Sequence, residues 1–219
     1  MKDWTFKSSE IAENFDSHVR EQLPWYELVT ESVAYIARNY LPENGLVYDI
    51  GASTGNMTKA LLELVQERRA LIKAIENSPE MCEHFEHSGL LQTDNVWLIQ
   101  NDALEVEYDN YDVAVLMLTA MFVPVERQAE LFNKLYRNLN HGGAIIIVDK
   151  VCDEDGYFAT VMKRLTMYWK LKNGATPEAI MRKELSLSGI QRPIDIRCMP
   201  FGVKQFFQLG EFKGWVIEK

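Results

Sequence analysis

The chain has 219 residues, 47% of them hydrophobic, which suits a single domain over 1–219 with a sizeable core and excludes a disordered composition. A formal charge of -9 excludes a broad grip on a phosphate backbone, so no direct nucleic-acid partner is expected, although a few local Arg and Lys residues can still gather a small anion. No apolar run approaches the roughly 18 residues that span a bilayer, and Cys82, Cys152 and Cys198 lie far apart with no Cys/His cluster, so a soluble, cytoplasmic chain without metal, disulfide or membrane contact is expected.

Residues 1–41 predict two helices. Ile11, Phe15 and Val19, then Leu28, Val33, Ile36 and Ala37, recur at helical spacing, and the turn Gln22-Leu23-Pro24-Trp25-Tyr26 separates the two runs. Such a leading segment either folds over a ligand crevice as a lid or simply covers hydrophobic sheet. Leu46-Val47-Tyr48-Asp49-Ile50-Gly51-Ala52-Ser53-Thr54-Gly55 follows, an apolar run ending in an acid and two glycines four apart, and then Lys59-Ala60-Leu61-Leu62-Glu63-Leu64-Val65 at helical spacing. A buried strand, a tight turn and a helix is the economical reading, with Gly51 allowing close approach of a ligand and Gly55 allowing the helix start to pack tightly. The spacing D-x-G-x-x-x-G departs from the three-glycine dinucleotide fingerprint.

Ala70 to Glu76 predicts the second strand, with Glu76 25 residues after Gly51, where an acid accepts hydrogen bonds from ribose hydroxyls. Ser78-Pro79-Glu80 reads as a capped helix start, and His84 and His87 beyond it as a solvated face rather than a metal pair. Val96 to Gln100 is the third strand, with Asp102 and Ala103 placed at its end to meet an adenine amino group and ring. Tyr111 to Leu118 is almost wholly apolar and predicts a central strand; Pro124 to Leu139 predicts a helix closed by the glycines of Leu139-Asn140-His141-Gly142-Gly143. Ala144 to Lys150 is the fifth strand. A helical insert over 153–189 carries Phe158, Val161, Met162, Leu165, Thr166 and Trp169 at helical spacing, a stripe suited to core packing or to a homodimer contact. Val203 to Gln208 and Phe212 to Ile217 flank Leu209-Gly210-Glu211 as a terminal hairpin.

The glycine motif and the helix, L-N-x-G-G, apolar-strand unit resemble class I S-adenosylmethionine-dependent methyltransferases. That resemblance implies an α/β Rossmann-like sheet of seven strands, five parallel with a C-terminal antiparallel hairpin. Along nearly the whole chain the pattern is most similar to the carboxy-S-adenosylmethionine synthase family. It is carried by Asp3-Trp4-Thr5-Phe6, by Ile11-Ala12-Glu13-Asn14-Phe15-Asp16-Ser17-His18-Val19-Arg20 with Leu23-Pro24-Trp25-Tyr26, by Asn77-Ser78-Pro79-Glu80-Met81 and by Glu126-Arg127-Gln128-Ala129. The resemblance implies S-adenosylmethionine or its carboxylated form as cofactor, with Tyr26, Asp49, Gly51, Ala52, Ser53, Gly55, Glu76, Asn77, Asp102, Ala103 and Met117 as its site. It implies a carboxylate-gripping arginine in the insert, matched here by Arg182 with Lys183 as the competing alignment, and Arg20 is a second candidate.

The family has Asp at Glu76 and Asn at Met117, and the C-terminal third is shorter, with Cys198-Met199-Pro200-Phe201 replacing a longer segment. The implied reaction moves a carboxyl group from prephenate to the cofactor methyl, for a donor used in tRNA wobble-uridine modification, in a homodimer. Two other functions remain open: methyl transfer to a small molecule, with His18 or Asp149 as base, and a catalytically idle cofactor-binding module.

Overall fold

The computed structural model describes residues 9–151, 156–195, 197, 199 and 202–219, with side chains from residue 15 onward. The Asp3–Phe6 segment, the Ile11 side chain, Cys152, Cys198, Phe201 and the first residues of the insert fall outside the described residues.

Two helices lead, α1 (Ser9–Gln22) and α2 (Tyr26–Ala37). The strands are β1 (Leu46–Ile50), β2 (Leu71–Glu76), β3 (Val96–Gln100), β4 (Tyr111–Met117), β5 (Leu139–Lys150), β6 (Val203–Leu209) and β7 (Phe212–Glu218). They form one seven-stranded sheet in the order β3-β2-β1-β4-β5-β7-β6. β1 to β5 run parallel to one another, and β7 runs antiparallel to both β5 and β6. β1 pairs with β2 on one side and β4 on the other, so the strand order reverses there and a crevice opens beyond the carboxyl ends.

Alternation along the central strands divides the core into two layers. Val113, Val115 and Met117 face Val33 and Ala37 of α2 and Leu61 and Val65 of α3 (Asn56–Glu67). Ala114 and Leu116 face Leu131, Phe132 and Leu135 of α5 (Val125–Asn138). Between β2 and β3 lies α4 (Pro79–His87), with Pro79 at its start and the Ser78 hydroxyl accepting the Met81 N–H at 3.2 Å, as the sequence predicts.

The glycines after α5 do something other than close the helix. The helix ends at Asn138, Leu139 is already extended, and the strand begins there, with a register shift between Tyr111 and Val113 of β4. A Cβ at Gly143 would overlap the Asp112 carbonyl, and Gly142 N–H donates to the Lys219 carbonyl at 2.8 Å. The glycines therefore let β5 bend past β4 while the chain's last residue pairs beside them.

The insert holds α6 (Gly156–Lys172) and α7 (Pro177–Ser186), the latter capped by the Thr176 hydroxyl. Its stripe is not core: only Thr166 of the six is buried, and Phe158 is exposed. α6 touches the sheet along a narrow edge, where the Thr166 hydroxyl accepts the Glu211 N–H of the terminal hairpin at 3.2 Å. Among the described residues no helix is long and apolar enough to cross a membrane.

Candidate functional site

The glycine turn is built by the strands beside it. Gly51 and Ala52 N–H groups donate to the Ile75 carbonyl at 2.8 and 2.9 Å, and Thr119 Oγ1 donates to the Ile50 carbonyl at 2.8 Å. Gly51 has φ +75°, and a Cβ there would overlap Thr119, so both conformation and space require glycine. The turn then delivers the Ser53 N–H to Glu76 Oε2 at 2.8 Å. Glu76 Oε1 accepts from Asn77 N and Ser78 N at 2.9 and 2.8 Å. Burial pushes this carboxyl above its ordinary value, while the three backbone donors oppose the shift.

Asp102 stands exposed at the end of β3, its Oδ1 accepting the Leu104 N–H at 2.8 Å. Glu76, Asn77, Asp102, Ala103, Gly51, Ala52, Ser53, Met117 and Tyr26 all line one cavity. Helix α1 forms its opposite wall through Phe15, His18, Val19 and Gln22. Asp16 fastens that helix to the turn: one carboxylate oxygen accepts Thr54 Oγ1–H and Asn56 Nδ2–H, each at 2.7 Å.

The far end of the same cavity is cationic. Lys150, at the carboxyl end of β5, reaches Gln191 Oε1 at 3.2 Å and Glu184 Oε2 at 3.9 Å. Lys170 of α6 contacts Glu184 Oε1 at 3.2 Å, and Lys183 Nζ of α7 lies 2.9 Å from His18 Nε2. Lys150 and Lys170 thus share one carboxylate, and Lys183 lines the same cavity. Burial first, then the charges of Lys170 and Lys150, brings Lys183 down to about 7; burial and the same neighbourhood bring His18 down to about 4. Burial opposes ionisation of Glu184 too, but Lys150 and Lys170 hold it below its ordinary value.

A sequence model described as a methyltransferase domain matches residues 47–143. The chain is 32% identical over 194 residues to a carboxy-S-adenosyl-L-methionine synthase of Staphylococcus epidermidis, covering 89% of this chain and 84% of that one. This chain belongs to the carboxy-S-adenosyl-L-methionine synthase family. A synthase of Shewanella oneidensis is 28% identical over 88% of this chain and 80% of its own. Two solved structures share the fold: an S-adenosylmethionine-dependent methyltransferase from Aquifex aeolicus, with TM-score 0.55, 17% identity and coverage of 95% and 97%, and human N-acetylserotonin methyltransferase in complex with S-adenosylmethionine, with TM-score 0.58, 13% identity and coverage of 98% and 57%.

As a member of this synthase family the chain is an S-adenosylmethionine-dependent transferase, and the residues present fit the cofactor. Glu76 keeps lone-pair capacity beyond its three backbone donors, as a ribose diol requires. Ile75, Leu104 and Ala103 beside it supply an apolar wall for an adenine ring. Met117, buried where the family resemblance has Asn, leaves an apolar thioether in the cavity wall in place of a polar group.

Four expected site residues do not reach the cavity. Asp49 is fully buried, accepts the Thr58 hydroxyl at 2.6 Å and is pushed up to about 6 by burial, so it braces β1 against α3. Gly55, at φ +94°, lets α3 start against Phe85 and Leu90. Arg182 is exposed on the outer face of α7; one residue turns a helix by about 100°, so Lys183 takes the inward position. Arg20 pairs with Glu27 at 2.7 Å on the outside of α1, whereas His18 and Gln22, four apart, face inward. Sequence reasoning missed Lys150 and Lys170. Lys150 had a signal, its place at a parallel strand's carboxyl end; Lys170 had none in the aromatic stripe around it.

Proposed function

We propose that this chain moves a carboxyl group from a small dicarboxylate, prephenate by the family resemblance, to the methyl carbon of S-adenosylmethionine. The observation that carries this reading is the pairing of Lys150 and Lys170 with the single carboxylate of Glu184, with Lys183 beside them, in the cavity that Gly51 and Glu76 also line. Such an excess of buried cations favours an anion with two charges; a neutral methyl acceptor needs none of them.

Bound S-adenosylmethionine supplies a sulfonium-activated methyl carbon. Glu76 holds the sugar, and Lys150 and Lys170, with compact charges on flexible stems, hold carboxylates. Leu118, Met121, Phe122 and Phe212 give the ring an apolar wall, and α1, fastened through Asp16, keeps bulk water from the reacting carbon. The product is a donor for tRNA modification by the same resemblance, and the charge of -9 fits a chain that hands on a small molecule without touching RNA. The exposed aromatic face of α6 supports a homodimer.

The test is incubation of the purified chain with S-adenosylmethionine and prephenate, followed by mass analysis. Carboxylated cofactor and phenylpyruvate in equal amounts are expected. Absence of both overturns the reading, and a methylated small acid in their place favours methyl transfer.

A further inference from the structure

Charge accounts for only part of the second substrate. As a dianion, prephenate has carboxylate and keto oxygens that accept hydrogen bonds and a single donor, the hydroxyl on its ring. Lys150 and Lys170 are donors, so they suit the oxygens that accept. A pocket that holds the whole molecule also needs an acceptor for the hydroxyl. At the cationic end of the cavity several acceptors are already engaged: Gln191 Oε1 accepts Lys150 Nζ at 3.2 Å, Glu184 Oε1 accepts Lys170 Nζ at 3.2 Å, and His18 Nε2 lies 2.9 Å from Lys183 Nζ.

Gln22 differs from them. Its side chain lines the same cavity, the residue is 5% exposed, and its Oε1 has no hydrogen-bond partner. Among the described residues Arg68 Nε and Gln128 Oε1 share that condition, and neither residue lines the cavity. A buried amide oxygen without a partner costs folding free energy, so native proteins hold few of them. The surroundings fix Gln22 in place. It is the last residue of α1, one turn beyond His18, and Asn173 Nδ2 donates to the Arg20 and Glu21 carbonyls just before it at 2.8 and 2.7 Å. On its other side a small hollow is closed by Thr166 and Trp169 of α6 and by Phe212, and Lys170 follows Trp169 directly. The amide is therefore anchored at the cationic end, away from Glu76.

Resting on the carboxyl-transfer reading, we propose that Gln22 accepts the ring hydroxyl of the second substrate through its side-chain oxygen, and so selects a hydroxylated acid over one without that group. Gln22 neither gives nor takes a proton. Its bond fixes one orientation of the ring while Lys150 and Lys170 hold carboxylates, which is the positioning that a reaction between two bound molecules requires. A site built around such a bond rejects a ligand lacking the hydroxyl, because its own buried oxygen then stays unpaired.

Gln22→Met keeps the length of the side chain and removes the acceptor. Titration calorimetry compares the variant with the wild-type chain, using prephenate and then phenylpyruvate, which lacks the ring hydroxyl, with S-adenosylhomocysteine present because it has no methyl group to react. Prephenate affinity is expected to fall by ~10-fold or more, and phenylpyruvate affinity to stay within about twofold. Ligand-free Gln22→Met is expected to unfold at or above the wild-type temperature, since an unpaired buried oxygen has been removed. A residue with a structural role alone would show the reverse, a lower unfolding temperature and unchanged prephenate affinity, and that result overturns the proposal. So does an equal loss for both acids, or a loss confined to S-adenosylmethionine. The two readings separate in the wild-type chain: prephenate that binds without yielding carboxylated cofactor overturns carboxyl transfer and leaves Gln22 as the hydroxyl's partner, whereas prephenate that does not bind overturns both.

Discussion

The Ser53 N–H and the Glu76 carboxylate meet at 2.8 Å, a side-chain bond that joins the glycine turn after β1 to the end of β2 beside the two backbone bonds to Ile75. Two consequences follow. Glu76→Ala removes the acceptor for three backbone N–H groups and is expected to cost ~1–3 kcal/mol of stability. It also removes the diol partner, so S-adenosylmethionine affinity is expected to drop by ~10-fold or more. Calorimetry together with thermal unfolding separates the effects, because Glu76→Asp restores the carboxylate. Unchanged cofactor affinity in Glu76→Ala would remove Glu76 from the site.

Lys170→Met and Lys150→Met are expected to weaken prephenate binding by ~10-fold or more, as loss of a charge-assisted bond does, and to leave S-adenosylmethionine affinity within about twofold. Arg182→Ala is expected to change neither, since its side chain lies on the exposed face of α7. Titration calorimetry of each variant with each ligand decides the matter. A large loss confined to Arg182→Ala would restore the arginine anchor that the family resemblance implies.

How much of this was legible in the sequence depended on how local the controlling physics is. The glycine turn, the Ser78 cap and the hairpin at Gly210 are fixed by residues within a few positions, and they stand where expected. Glu76 and Asp102 converge because parallel strands in a known order place their ends together. Lys150, Lys170 and Lys183 could not be assembled that way, since α6 and α7 meet β5 through tertiary packing that no short spacing encodes. The helix ends before Leu139 as expected, but the glycines read as closing it serve the register shift between β4 and β5 instead.

Asp16 joins α1 to the glycine turn through Thr54 and Asn56, all near the surface. Asp16→Ala is therefore expected to change stability by no more than about 1 kcal/mol. Its effect belongs in kinetics: with α1 less firmly held, S-adenosylmethionine dissociation is expected to accelerate several-fold in stopped-flow measurements. Identical dissociation rates would show that α1 does not gate the cavity.

The exposed Tyr157, Phe158 and Tyr168 of α6 give the proposed homodimer its own test. Sedimentation velocity is expected to show a dimer that Tyr168→Lys shifts towards monomer, because a charge in an apolar contact is costly. A monomer at all accessible concentrations would leave that face without this role.

Asp149 supplies the pH dependence. It is fully buried, accepts the N–H groups of Lys150 at 2.8 Å and Met121 at 3.2 Å, and so holds the short turn Ala120–Phe122 against the cavity. Burial raises its carboxyl from 3.8 to about 7, more than the backbone donors lower it. Between roughly pH 4 and pH 7 the native state therefore keeps a proton that the unfolded chain has released. Where the native state binds more protons, stability falls as pH rises, and the loss is complete once pH passes the native value. Asp149→Asn has no proton to lose in that window. The stability of the wild-type chain relative to Asp149→Asn is expected to decline by on the order of 2 kcal/mol from pH 5 to pH 8, and then to stay level. Denaturant titrations at four pH values measure the difference, and taking it between the two chains cancels the opposing contribution of His18. A difference independent of pH would mean that Asp149 ionises in the folded protein as readily as in the unfolded one, and that the turn above the cavity is held by a charge already present in acid.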